Sequence, residues 1–171
     1  MNELRQRIVI EKPKIVVVNE VLPKNCILDR DDADFKISNF TLHRWTAGRG
    51  INIWSHLSLD KCISIPTDKQ LTSDLTEAAH IRIRLNKGDS LLLSCIYRSP
   101  NQTSEGNAKT NEILKLAARS ASHVTVCGDF NYRDIQWANQ HSIAGESSGA
   151  SQFLEAVHDT FLYQINQVSL I

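Results

Sequence analysis

A chain of 171 residues has room for one domain with a sizeable core. With 42% hydrophobic and 22% charged residues, it is excluded from the disordered and fibrous classes. Its 19 basic and 19 acidic side chains cancel, which excludes a protein held on nucleic acid by bulk charge, so any such contact has to come from a local patch.

Cys26, Cys62, Cys95 and Cys127 form no C-x-x-C pair, so a zinc site is not supported. Cys95 and Cys127 sit inside apolar runs, where cysteine packs as a small hydrophobe. No apolar run approaches the ~20 residues of a membrane span, and the charged N-terminus has no signal-type core. The expectation is a reduced, intracellular chain, nuclear or cytoplasmic, without membrane contact.

Taken in order, Asn2 is placed to cap a helix through about Ile10, with Leu4 and Ile8 on one face. Pro13 ends it. Lys14 to Asn19 carries four consecutive β-branched residues and reads as a strand covered on both faces. Glu20 closes that strand, either as a solvated terminus or as a metal ligand. Asp29, Asp31, Asp32 and Asp34 fail the EF-hand spacing, with no glycine at the sixth position and Phe40 at the twelfth, and read as a solvated loop. Phe40 to Trp45 is predicted as a strand. Gly48 and Gly50 permit a sharp turn around Arg49, which either faces a phosphate or stands free on the surface.

Ser55 to Glu77 is polar and irregular. Ala79, Ile81, Ile83 and Leu85 then alternate with His80, Arg82 and Arg84, the pattern of a strand with one wet face. Asn86 to Asp89 is a hairpin signal, and Leu91 to Ile96 pairs back. Tyr97 ends this strand, where a tyrosine ordinarily packs half-buried with a wet hydroxyl. Lys109 to Arg119 is predicted as a helix with Ile113, Leu114 and Ala117 inward. Val124 to Cys127 is apolar or β-branched and suits a buried strand. Gly128 stops it, and Asp129 and Asn131 follow at a spacing that points them the same way at a strand end. They are either an Asx turn closing the strand or a carboxylate and a carboxamide that orient water and hold a phosphoryl oxygen.

Gly145 to Gly149 satisfies G-x-S-x-G, but no strong strand precedes it and no histidine follows His158, so a serine hydrolase is rejected. The serines instead cap a last helix whose buried stripe is predicted as Phe153, Leu154, Val157 and Phe161.

Gly128 to Trp137 resembles the G-D-F-N-x-x-D-I-x-W stretch of endonuclease/exonuclease/phosphatase domains, and most of all that of the endonuclease domain of non-LTR (LINE-type) retrotransposon proteins. Three more stretches fit in the family's order. Ile15 to Leu22 is similar to the strand ending in its metal-binding glutamate, Gly48 to Trp54 to its glycine-rich turn and following strand, and Ser94 to Pro100 to the strand carrying its active-site tyrosine. Ile51 and Asn52 depart from the family's longer glycine run.

The resemblance implies an α/β fold, a two-sheet α/β sandwich of the DNase I-like kind. It implies a Mg²⁺-dependent DNA endonuclease of retrotransposon origin. Glu20 would hold the metal, Asp129 would orient the attacking water, and Asn131 and Tyr97 would bind the phosphate. Glu20 and Asp129 are then expected close together at one end of the sandwich. The family domain also has an opening strand ending in asparagine, and closing strands with a metal-site aspartate and a terminal S-D-H. Neither stretch occurs in this sequence, and His43, His56, His80, His123, His141 and His158 match no catalytic position. Residues 1–171 are therefore expected to be one incomplete domain, weak in magnesium binding, impaired in activity and inclined to self-associate or take a partner through exposed sheet edges. The alternative is a catalytically inactive, retroelement-derived remnant or interaction module.

Overall fold

A computed structural model describes residues 2–23 and 31–165; Cys26 and Asp29 lie outside them. Helix α1 (Asn2–Glu11) starts at Asn2 itself, so that residue opens the helix rather than capping it. Three strands follow: β1 (Ile15–Asn19), β2 (Phe40–Trp45) and β3 (Ile51–His56). They form an antiparallel sheet in the order β1-β3-β2. The second sheet holds β4 (Ile63–Ser64), β5 (Glu77–Arg84), β6 (Ser90–Tyr97) and β7 (His123–Asp129) in that order. Its last pair is parallel, with helix α2 (Ser104–Ala118) as the crossover such a pair requires. A small hairpin, β8 (Ile135–Gln136) and β9 (His141–Ser142), and helix α3 (Gly149–Asp159) complete the described residues. No described helix is long and apolar enough to cross a membrane.

The two sheets pack face to face. Ile51 and Ile53 of β3 meet Ala79, Ile81 and Ile83 of β5 and Leu93 and Cys95 of β6, with Ile15 and Val17 of β1 against them. On the far side of the first sheet, Leu4 and Ile8 of α1 cover Trp54, Phe35 and Ile37. On the far side of the second, α2 lays Leu116 and Ala117 on Leu92 and Leu71, while Leu114 joins Phe153, Leu154 and Ala156 of α3. The molecule is thus a two-sheet α/β sandwich with helices outside both sheets. Ser148 caps α3, accepting from the Ser151 N–H at 3.1 Å.

Several expectations need correction. β1 is half-buried throughout rather than fully covered, because it lies at the edge of its sheet. β7 is an edge strand of alternating exposure, not a buried one. The supposed wet face of β5 lies under α2 and a 3-10 turn at Lys69–Leu71. His80 is therefore 3% exposed, with one ring nitrogen 2.8 Å from the Leu71 carbonyl and the other 2.9 Å from Ser94 Oγ. A carbonyl only accepts, so Nε2 carries the proton and Nδ1 accepts from the serine. Helix α2 starts earlier than its apolar stripe suggests, because Thr103 caps it by accepting from the Gly106 N–H. Phe161 is 92% exposed, since α3 ends before it.

Candidate functional site

At one end of the sandwich the strand termini converge. In the second sheet, Glu77 opens β5 opposite Tyr97 at the close of β6, and Tyr97 stands opposite Asp129 at the close of β7. Glu77, Tyr97 and Asp129 therefore lie side by side across three strands. In the first sheet, Asn19 pairs with Ile51, so Glu20 emerges from β1 beside the turn that precedes β3.

That turn is tightly specified. Gly48 and Gly50 have φ of 58° and 78°. A Cβ on Gly48 would lie 2.0 Å from Glu77 Oε1, so only glycine fits there. The Glu77 Oε2 accepts from the backbone N–H groups of Arg49 and Gly50 at 3.1 and 3.2 Å. The Leu22 N–H donates to the Arg49 carbonyl at 2.9 Å, and Arg49 Nε donates back to the Leu22 carbonyl at 3.1 Å. The guanidinium ends in an ion pair with the Glu20 carboxylate. Arg49 is thus neither a free surface cation nor open to a phosphate in this arrangement.

Tyr97 joins the two sheets. Its ring is buried, at 8% exposure. The Glu20 carboxylate within hydrogen-bonding reach, aided by burial, pushes its phenol up to about 12. The hydroxyl is therefore a neutral donor at physiological pH. Glu77 has its carboxyl pushed above the ordinary range, first by burial and also by Glu20; the two backbone N–H bonds oppose that shift.

Beyond Asp129 the chain leaves the strand. Gly128, at φ 137°, faces Ile96 across the ladder, and a Cβ there would lie 1.9 Å from the Ile96 carbonyl oxygen. Asn131 has φ 51° and its N–H donates to Asp129 Oδ1 at 2.9 Å, which is an Asx turn. The alternation of a strand therefore does not govern this pair. Asn131 Nδ2 donates inward to the Arg98 carbonyl at 2.8 Å, leaving one amide proton and its oxygen for other partners. Asp129 is exposed.

Sequence reasoning missed two side chains. Arg98 is 6% exposed. Its Nε donates to Asn107 Oδ1 at 2.7 Å, its Nη1 lies 3.3 Å from the carbonyls of Phe130 and Asn131, and its guanidinium lies 4.0 Å over the Tyr132 ring. It therefore shapes the loop that presents Asp129 and Asn131. Glu77 was passed over because it closes a polar, irregular stretch and no pattern marks it. The turn chemistry of Gly48 to Gly50 was the available hint that something approaches the backbone closely.

As arranged, these residues do not form a metal site. Among the described residues no group of three or more His, Cys, Asp and Glu side chains is placed to hold an ion. Glu20 is engaged by Arg49, and Asp129 Oδ1 by the Asn131 N–H. Magnesium is usually held through one or two carboxylates plus waters in near-octahedral geometry, and the carboxylate best placed for it already carries a cation.

Two sheets packed face to face, with acidic, phenolic and carboxamide side chains at the strand ends, make a two-sheet α/β sandwich. Residues 91–169, just under half of the chain, match the family model described as endonuclease-reverse transcriptase, so this stretch is similar to that family. A search of curated proteins found no match. The matched stretch includes Tyr97, Arg98, Asp129 and Asn131; Glu20, Arg49 and Glu77 lie outside it.

Proposed function

We propose that this chain is a DNA endonuclease-type phosphodiesterase of retroelement origin, with divalent-metal dependence and a low rate. The observation that supports it most is the place of Tyr97, beside Asp129 on the neighbouring strand and within reach of the Glu20 carboxylate that follows β1 of the other sheet. In this reading Asp129 orients the water that attacks phosphorus. The Tyr97 hydroxyl and the remaining amide proton of Asn131 donate to phosphate oxygens as negative charge builds on them. Glu20 is the carboxylate that would hold magnesium, which would polarise a phosphoryl oxygen. The low rate follows from the histidines. Among the described residues, His43 and His56 bond Ser55 and Ser58, His80 is locked in the core, His123 opens β7 at the end opposite Asp129, His141 pairs with Gln136 in the β8–β9 hairpin and His158 bonds Gln140. An absent acid–base group ordinarily removes ~10²–10⁴ in rate.

A plasmid-nicking assay with Mg²⁺ checks this reading. The expected outcome is slow nicking by the wild type, reduced at least about a hundredfold by Asp129→Ala and by Glu20→Gln. Nicking that both variants retain would overturn the assignment. The Arg49–Glu20 ion pair also favours a second reading, a non-cleaving module derived from such a nuclease. DNA binding in a gel-shift assay, with no nicking by wild type or any variant, would select it.

A further inference from the structure

A net charge of zero leaves any polyanion contact to a local patch, and the first sheet carries one at the end away from Glu20. There β1 starts at Ile15 opposite Ser55, and β2 starts at Phe40 opposite His56. Helix α1 and the segment 36–40 flank a groove of about 730 Å³ at this end. Arg5, Lys12, Lys14 and Lys36 line it, and no Asp or Glu is among the described residues that do. Among the described residues, none of these four cations forms an ion pair. Arg5 Nη2 donates to the Lys36 carbonyl at 3.0 Å and ties the two walls together. Lys14 Nζ lies 3.4 Å from Ser58 Oγ, and the Lys14 carbonyl accepts from the His56 N–H at 2.8 Å. Ile8, Val9 and Phe40 supply an apolar wall. Val9 is 72% exposed, so that wall is largely uncovered, and the Phe40 ring stands edge-on to His56 at 5.4 Å.

Four like charges around one groove repel each other until an anion enters. A phosphodiester backbone relieves that repulsion and releases its own counterions in doing so. Arg5 uses one N–H on the Lys36 carbonyl and keeps the others for an anion. Phosphate alone, however, leaves Ile8 and Val9 facing water. The unpaired bases of a single strand cover them, since each base has an apolar face that packs on such a wall while the backbone follows the charges. A duplex keeps its bases stacked inside and offers the wall nothing. We propose that this groove is a binding site for a single nucleic-acid strand: Arg5, Lys12, Lys14 and Lys36 hold successive phosphates while bases lie against Ile8, Val9 and Phe40. The groove is separate from the strand ends that carry Tyr97 and Asp129, so its occupancy needs neither metal nor turnover.

Fluorescence anisotropy on the full chain tests this, with EDTA present and a labelled oligothymidine about 12 nucleotides long as the probe. The slope of log K against log salt is expected to be about −3, as four phosphate contacts on a single strand require. The double variant Lys12→Gln, Lys36→Gln is expected to bind at least about tenfold more weakly and to flatten the slope by about 1.4. Both lysines are exposed, so their loss leaves the core untouched. The double variant Lys69→Gln, Lys87→Gln removes the same charge from exposed positions outside the groove. It is expected to stay within about twofold of the wild type. An abasic strand of equal length carries the same phosphates and is expected to bind at least about fivefold more weakly. Wild-type affinity in Lys12→Gln, Lys36→Gln would overturn the site, and so would an equal loss in Lys69→Gln, Lys87→Gln. Equal affinity for the abasic strand would show that charge alone is read and overturn the assignment to a nucleic-acid strand. Binding to phosphatidylserine vesicles that Lys12→Gln, Lys36→Gln abolishes would then identify a membrane surface in its place.

Discussion

Arg98 carries the strongest residue-scale argument. A guanidinium cannot lose its proton, so burial obliges the fold to surround it with acceptors. The Asn107 carboxamide, two loop carbonyls and the Tyr132 ring meet that need. Replacing it with methionine keeps the apolar stem but leaves those acceptors without donors. Arg98→Met is expected to cost about 2–3 kcal/mol in urea unfolding, and Arg98→Lys to recover only part of it, lacking the planar fork. Full stability in Arg98→Met would contradict this account. Glu77 makes the opposite point. Its carboxyl is pushed up by burial. A group whose folded value is raised stabilises the fold at low pH and loses that contribution as pH rises through the folded value. The wild type should therefore lose stability relative to Glu77→Gln as pH climbs from the ordinary glutamate range toward neutrality, which melting temperatures at a series of pH values would show. A difference that does not change with pH would contradict it.

Among the elements, β7 shows how a strand can be legible in outline and misread in setting. The run Val124 to Cys127 announces a strand, and Gly128 announces its end. The reason for glycine lies across the ladder: its Cα faces Ile96, whose carbonyl leaves no room for a Cβ. Gly128→Ala combines that collision with a φ of 137° that L side chains rarely adopt. It is expected to destabilise by about 3 kcal/mol or more, read as a drop in melting temperature; an unchanged value would mean the strands separate at little cost. Periodicity located β2 within its observed bounds and most of β5 and β6, because those strands alternate or run apolar. It misplaced the start of α2, where Ser104 to Ala108 is largely polar and the signal is the Thr103 cap. It missed β4, which is fixed by pairing with the distant β5, and three 3-10 turns, whose only signals are the local caps of Asp31, His56 and Asp68. Phe161 looked like the next turn of a stripe only because periodicity does not register where a helix stops.

Across the whole molecule, acid sensitivity is built into the core. Burial pushes the His80 imidazole below its ordinary value of 6.5, and both ring nitrogens are bonded in the neutral form. A group with a depressed value contributes stability above its unfolded value and loses it as pH falls through the folded one. Melting temperature should thus decline below about pH 6.5, and less steeply in His80→Gln, which can still donate to Leu71 and accept from Ser94. An identical slope in both proteins would exonerate His80. Glu20, Tyr97, Asp129 and Asn131 were named from three local stretches, Ile15 to Leu22, Ser94 to Pro100 and Gly128 to Trp137. The contacts that tie Glu20, Arg49 and Glu77 together were not legible, because they join positions 27 and 29 residues apart, and no one-dimensional pattern records a carboxylate bracing a distant turn.

The placement of Glu20 on one sheet and Tyr97 and Asp129 on the other has a mechanical consequence. The gap between them is set by the side chains stacked between the sheets, so Ile53, Ile81 and Leu93 act as spacers for groups they do not touch. Sliding or breathing of one sheet against the other loosens the cluster as a calliper opens. In such a design the tolerance of the chemistry is the tolerance of the packing, and shortening one spacer detunes the site while every polar residue in it stays in the chain.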